Sequence, residues 1–119
     1  MKKLISVACL SLVSSVSMAS AWLVLTPAEI KNIQIMQAGN SHGSPEGLYI
    51  GLKTELAGAA ATYCAGKGAV VITDPKLIDR AYSGLLFALS TQKTVQFYLD
   101  GPSKCVANLP QATMFTLVP

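Results

Sequence analysis

The first 21 residues constrain this chain most, because they predict export and so decide how many residues and cysteines remain to fold. Lys2 and Lys3 precede an uncharged apolar segment at 4–16, and the tripeptide Ala-Ser-Ala ends at Ala21. A short basic start, about 13 apolar residues and a small-x-small tripeptide are the three parts of a secretory signal peptide. We therefore predict that residues 1–21 are a signal peptide cleaved after Ala21, and that residues 22–119 form a secreted or periplasmic bacterial protein.

Two other interpretations of this segment have less support. A membrane anchor needs about 20 continuous apolar residues, whereas serine occupies five of positions 11–20. Lipid attachment at Cys9 would leave only residues 4–8 as the apolar segment, which is shorter than the roughly 7 to 15 residues of a signal peptide. The mature protein is accordingly expected to have no membrane span.

Removal of the signal peptide would lower the net charge of the protein, which bears on binding to nucleic acids and anionic membranes. The whole chain has nine basic and six acidic residues, a net charge of +3. Without Lys2 and Lys3, seven basic residues face six acidic ones, and the net charge is +1. Nucleic acids and anionic membranes attract clustered basic residues, and the mature sequence has no basic run. Nucleic-acid binding is therefore not expected.

The mature sequence keeps a single pair of cysteines, Cys64 and Cys105, because Cys9 is lost with the signal peptide. Two cysteines in an exported domain allow one pairing, so we predict a disulfide between them. Closing a loop of about 42 residues contributes about 4 kcal/mol in the chain-entropy model, which approaches the whole stability of a small domain. His42 is the only histidine, so neither a metal site nor another cofactor is expected.

The first half of the mature sequence divides into short β-type segments. Residues 22–25 are a short apolar segment, residues 30–37 favour a strand, and turn-forming residues make 38–47 an exposed loop. Residues 48–56 alternate between apolar and polar side chains, which predicts a half-buried strand. We interpret 59–64 as extended, 66–68 as a turn and 69–73 as a short buried strand.

One amphipathic helix is the clearest element. Asp74 suits the N-cap position and Pro75 the first turn. The apolar residues then follow spacings of three and four, so that one stripe contains Leu77, Ile78, Ala81, Tyr82, Leu85, Leu86 and Leu89. The helix is predicted to end near Thr91. Strands are predicted at 93–99 and 112–118, with Cys105 in the loop between them.

This order of elements indicates a mainly β domain with one helix. A helix inserted before the fourth strand is typical of the five-stranded OB barrel. An open α+β sandwich has the same order of elements and is the alternative. The sequence therefore predicts a single OB-like domain at 22–119.

A family resemblance supports this fold. Residues 81–98, AYSGLLFALSTQKTVQFY, resemble small secreted bacterial proteins related to the cell-binding B subunits of subtilase-type and pertussis-like toxins. In that family a helix passes through a tight turn into a strand, which leads to a cysteine, here Cys105, and a closing strand, here 111–118; Cys64 matches the upstream cysteine. Gln92 stands where glycine is more usual. The resemblance implies an OB barrel, a pentameric ring around helices such as 75–91, and glycan recognition.

No combination of residues predicts catalysis, so we do not expect an enzyme. His42 lies near Glu46 in the turn-rich loop, but no nucleophile motif accompanies them. The tripeptide at 66–68 lacks the serine or threonine of a phosphate-binding loop. Asp74 fits a helix cap and Asp79 a helix surface.

Two function classes remain open. The first is a non-catalytic binding module for a glycan or protein ligand, with Asn40, His42, Tyr49 and Tyr98 as candidate binding residues. The second is a structural, assembly or inhibitor protein that acts through protein–protein contacts. In that case helix 75–91 would pack against copies of itself through its small residues, which are Ala81, Ser83, Gly84 and Ala88.

Overall fold

The computed structural model describes residues 21–101 and 104–118. The predicted signal segment at 1–20 lies outside this part of the chain, as do Pro102, Ser103 and Pro119. The described residues are mainly β, with one α-helix and three small sheets, which confirms the predicted class. None of the three sheets closes into a barrel, so a closed five-stranded barrel is not confirmed.

The first sheet places β5 (Thr94–Leu99) between β1 (Ala21–Leu25) and β8 (Ala112–Val118), and both pairs are antiparallel. Side chains of β5 alternate as predicted, with Phe97 buried and Tyr98 half-buried on the opposite face. The short apolar segment at Ala21–Leu25 is thus a paired strand. Its wholly apolar sequence shows no alternation, so pairing was not evident from sequence.

The second sheet places β3 (Gly47–Leu52) between β2 (Ile30–Met36) and β4 (Ala69–Ile72), again with antiparallel pairs. The prediction of a half-buried strand that reaches residue 56 is wrong, since β3 ends at Leu52 and all six of its residues are buried. Alternate residues of β3 face the core, and Tyr49 is buried on the other face. Loop residues cover that second face, which sequence alternation alone does not reveal.

Within the described residues, the first and second sheets are linked on two sides. On one side β1 continues into β2 through a 3₁₀ turn at Pro27–Glu29, where Thr26 N donates to Glu29 Oε1 at 2.8 Å. On the other side Val71 of β4 and Gln111 form a single parallel bridge. Gln111 Nε2 reinforces this bridge by donating to Thr73 Oγ1 at 2.7 Å. The apolar core lies where the sheets and the helix meet.

Helix α1 (Pro75–Thr91) confirms the predicted helix and packs against β8, β3 and β5. Asp74 is its N-cap and accepts a hydrogen bond from Leu77 N at 2.9 Å. Gly84 lies so close to the Phe115 ring that an added Cβ would overlap it. Gln92 ends the helix in the left-handed region with φ of 59°, a conformation that glycine adopts more easily. No helix in residues 21–101 and 104–118 combines the length and apolar character needed to cross a membrane.

Two short segments differ from the predictions. Residues 59–64 are not extended, because a 3₁₀ helix occupies Gly58–Thr62. Gly58 starts it with a φ of +65°, and three alanines follow, which favour helical backbone. The predicted loop around Cys105 contains a hairpin of β6 (Cys105–Val106) and β7 (Leu109–Pro110). Its two turn residues, Ala107 and Asn108, have φ of 52° and 66°, as a type I′ turn requires.

The predicted disulfide between Cys64 and Cys105 is confirmed, with Cα atoms 5.9 Å apart. It ties the segment after the 3₁₀ helix to the β6–β7 hairpin. Beside it, Gly66 N donates to Asn108 O at 2.7 Å, which holds the two segments at a second point.

Loss of this disulfide is expected to lower the free energy of unfolding by about 4 kcal/mol, because the unfolded chain regains the entropy of the open loop. The variant Cys64→Ala/Cys105→Ser removes the bond without placing a hydroxyl in the core, since Cys64 is buried and Cys105 is exposed. Urea unfolding followed by circular dichroism measures the change. A free energy of unfolding equal to that of the oxidised wild type would contradict this account.

Candidate functional site

The loop at 37–46, which joins β2 to β3, is organised by one side chain. Asn40 Nδ2 donates to Gln37 O at 2.9 Å and to Ser44 O at 2.7 Å. Its Oδ1 accepts from His42 N at 3.0 Å and from Ser44 N at 3.4 Å. Asparagine commonly bonds to nearby backbone in turns in this way. The structure therefore assigns Asn40, a predicted binding residue, the task of holding the loop in one shape.

A groove of about 750 Å³ lies between this loop, β2 and the start of α1. Residues 34–37 line it together with Ile78, Asn40, His42, Glu46 and Gly47. Two of the predicted binding residues, Asn40 and His42, therefore belong to one site. Ile35, which is 56% exposed, and Ile78 give the groove an apolar surface, and Glu46 is the only charged residue among its described lining residues. A ligand with both apolar and polar groups would fit this lining.

Tyr49 lies outside this groove. It is buried, its hydroxyl donates to Pro45 O at 2.7 Å, and burial raises the pKa of the phenol above its usual value. Tyr49 borders a smaller cavity of about 340 Å³ on the other face of the second sheet. The structure thus places this predicted binding residue at the base of the loop, where its hydroxyl supports the backbone.

Tyr98 lies on the outer face of the first sheet beside Trp22. Their ring centroids are 5.0 Å apart and their planes meet at 63°, an edge-to-face arrangement. Strand register pairs Trp22 with Tyr98 and Tyr98 with Met114, so the three side chains form one row across β1, β5 and β8. Trp22 is 50% exposed and Met114 is 48% exposed. We call Trp22, Tyr98 and Met114 the aromatic platform.

Tyr98 also acts electrostatically on a buried tyrosine. The neighbouring Tyr63 is buried, and its pKa is raised mainly by burial and further by Tyr98. The sequence analysis identified Tyr98 but missed Trp22. Trp22 is the only tryptophan in the chain, and an apolar aromatic residue at the start of an exported domain is the signal that could have found it.

The exposed face of α1 carries a second apolar surface, which consists of Tyr82, Leu86 and Phe87 and which we call the helix patch. Tyr82 and Leu86 belong to the apolar stripe predicted from the sequence, but both are exposed. The helix is rotated so that Ala88 is buried with Ala81 and Leu85.

The small residues of α1 do not form the predicted contact surface. Ala81 and Ala88 are buried in the chain's own core, and Gly84 lies against Phe115. Only Ser83 of that set is exposed. A helix–helix contact outside the domain would therefore involve the large side chains of the helix patch.

No protein-family model, curated protein or solved structure matches the chain. The resemblance to toxin B subunits therefore stays a prediction.

Replacing Asn40 should loosen the loop without unfolding the domain. In Asn40→Ala the backbone N–H of His42 loses its acceptor, so its amide hydrogen exchange should become about tenfold faster, as expected for one hydrogen bond. Exchange measured by NMR tests this, with Ser41→Ala as the matched control in the same loop. Equal exchange rates in Asn40→Ala and wild type would show that other contacts hold the loop.

Proposed function

We propose that this chain is an exported, non-catalytic binding module that recognises a glycan on its aromatic platform. Export is supported by the predicted signal peptide and by the Cys64–Cys105 disulfide, a bond that persists in oxidising compartments. The observation that carries the glycan proposal is the half-exposed Trp22 held edge-to-face against Tyr98.

The arrangement of strands supports an OB-like barrel. If β1 and β2 count as one bent strand, the domain has five main strands in the order β4, β3, β2/β1, β5 and β8, with β4 and β8 at the two ends. The single Val71–Gln111 bridge would then be the only pairing on the side where the barrel closes. Such weak closure suits an OB barrel, because this fold is a partly open Greek-key barrel. The merged first strand would present Trp22 on the outer barrel face, where a ligand has free access.

The chemistry of the platform suits a sugar ring. An exposed indole offers a flat apolar face, and tryptophan and tyrosine are favoured at binding surfaces because each has an apolar body and a polar tip. Val24, Gln96 and Thr116 form the next row of the same face, as the strand register shows. An amide and a hydroxyl therefore lie beside the aromatic rings, where they can bond to the hydroxyl groups of a glycan.

Trp22 also provides the test, because a single tryptophan makes intrinsic fluorescence specific for the platform. Glycans that bind the wild type on an immobilised array should change this fluorescence on titration. Trp22→Ala should weaken array binding about tenfold, near the upper end of the energy of an aromatic contact.

Val24→Ala is the matched control, since Trp22 and Val24 are both 50% exposed on the same strand face. It should reduce binding far less. If no glycan on the array binds, or if both variants lose affinity equally, the proposal fails.

A second candidate function, assembly into a ring, is favoured by the helix patch. A cluster of exposed large apolar side chains marks an interaction surface more often than a single exposed apolar side chain does. A head-to-tail contact between the patch of one copy and a neighbouring surface of the next copy would bury the patch, and copies related in this way by rotation would form a closed ring. The toxin resemblance adds the expectation of a pentamer formed through α1.

Light scattering of the exported protein tests this assembly, and a mass about five times that of the monomer is expected. Leu86→Gln should lower that mass by placing an amide in the contact. Met114→Gln is the control, because Met114 is similarly exposed, 48% against 46% for Leu86, but lies on the sheet. A monomeric wild type, or disruption by both variants alike, would refute assembly through the helix.

A further inference from the structure

The groove beside loop 37–46 follows the open edge of β2. This strand is the outermost in its sheet, and within the described residues it pairs only with β3. Four consecutive residues, 34–37, line the groove. Residues 34–36 belong to β2, and successive side chains of a strand point to opposite faces, so a groove that contacts all three of them runs along the strand edge. Alternate residues there direct N–H and C=O groups towards the groove.

The open edge differs along its length. Sheet edges are commonly protected from new strands by charged side chains, bulges or proline. In β2 such features occur only in the first half, where Lys31 lies at a register shift between Ile30 and Asn32. The second half, residues 33–36, is uncharged and regularly paired with β3. The part of the edge that lines the groove is therefore the part able to accept another strand.

We propose that this groove binds an extended peptide of a partner protein, which adds to the second sheet as a new strand beside β2. Backbone hydrogen bonds to the open edge would supply affinity that does not depend on peptide sequence. Specificity would come from the lining: Ile35 and Ile78 contact an apolar peptide side chain, and Glu46 pairs with a basic one.

The site is organised before the peptide binds. Asn40 holds the loop that forms one wall through four hydrogen bonds, so little of the loop remains to be ordered on binding. The volume of about 750 Å³ is within the range of ligand sites. This peptide site is separate from the aromatic platform, which lies on the other sheet, and it does not rest on glycan binding.

Selection from a phage-displayed library of random 12-residue peptides, on the exported wild-type protein, tests the proposal. Selected peptides are expected to combine apolar residues at alternate positions with a Lys or Arg. Their affinity should fall about tenfold in Glu46→Gln and in Ile35→Thr, which keeps the β-branched shape of the side chain. Glu55→Gln, an exposed acidic residue outside the groove, is the matched control and should bind as wild type does.

Backbone pairing has a signature that other binding modes lack. When each peptide amide is N-methylated in turn, affinity should fall at every second position, because alternate amides donate to β2. Uniform sensitivity or no sensitivity to N-methylation would overturn strand addition. The proposal would also be overturned if no selected peptide required Ile35 and Glu46 for binding. It would equally be overturned if the wild type were a dimer that Ile35→Thr dissociates, because a second copy of the chain would then occupy the groove.

Discussion

The Cys64–Cys105 disulfide joins two short elements that lie outside the two larger sheets. One is the segment that directly follows the 3₁₀ helix at Gly58–Thr62, and the other is the β6–β7 hairpin. Residues of that hairpin and Tyr49 border the same cavity on the outer face of the second sheet. Fixing the hairpin there lets β3 be buried on both faces. A domain of about 100 residues has a modest core, so this cross-link and the buried central strand depend on each other.

Elements set by local chemistry were predictable from the sequence, and elements set by distant contacts were not. Helix α1 follows from the Asp74 cap and from apolar spacing, both of which act within a few residues. The pairing of β1 depends on β5, far along the chain, and the burial of Tyr49 depends on loops that cover it. The rotation of α1 that exposes Leu86 was also hidden, because Leu86 and Ala88 are both apolar and only packing selects between them.

The candidate surfaces show the same division. Asn40 and His42 are neighbours in sequence, and the turn chemistry of their loop was enough to group them. The aromatic platform unites Trp22, Tyr98 and Met114 from three strands, and only the register of the first sheet brings them into one row. Tyr98 was identifiable because it alternates with buried residues on β5. Its neighbours Trp22 and Met114 could not be identified from the sequence, because the sequence does not show which strands flank β5.

The aromatic platform suits contacts of short range. The two rows of the first sheet, from Trp22 to Met114 and from Val24 to Thr116, contain no charged side chain, and without the predicted signal peptide the net charge would be only +1. Such a surface exerts little long-range attraction, so the affinity of one platform for one glycan would depend on how long the contact lasts. Assembly through the helix patch would then have a direct consequence for binding. Several platforms on one ring would bind a glycan-bearing surface together, and linked sites can exceed single-site affinity by about 10² to 10⁴. If both proposals hold, the exposed apolar residues of α1 and those of the first sheet would serve one activity, in which repetition would strengthen weak individual contacts.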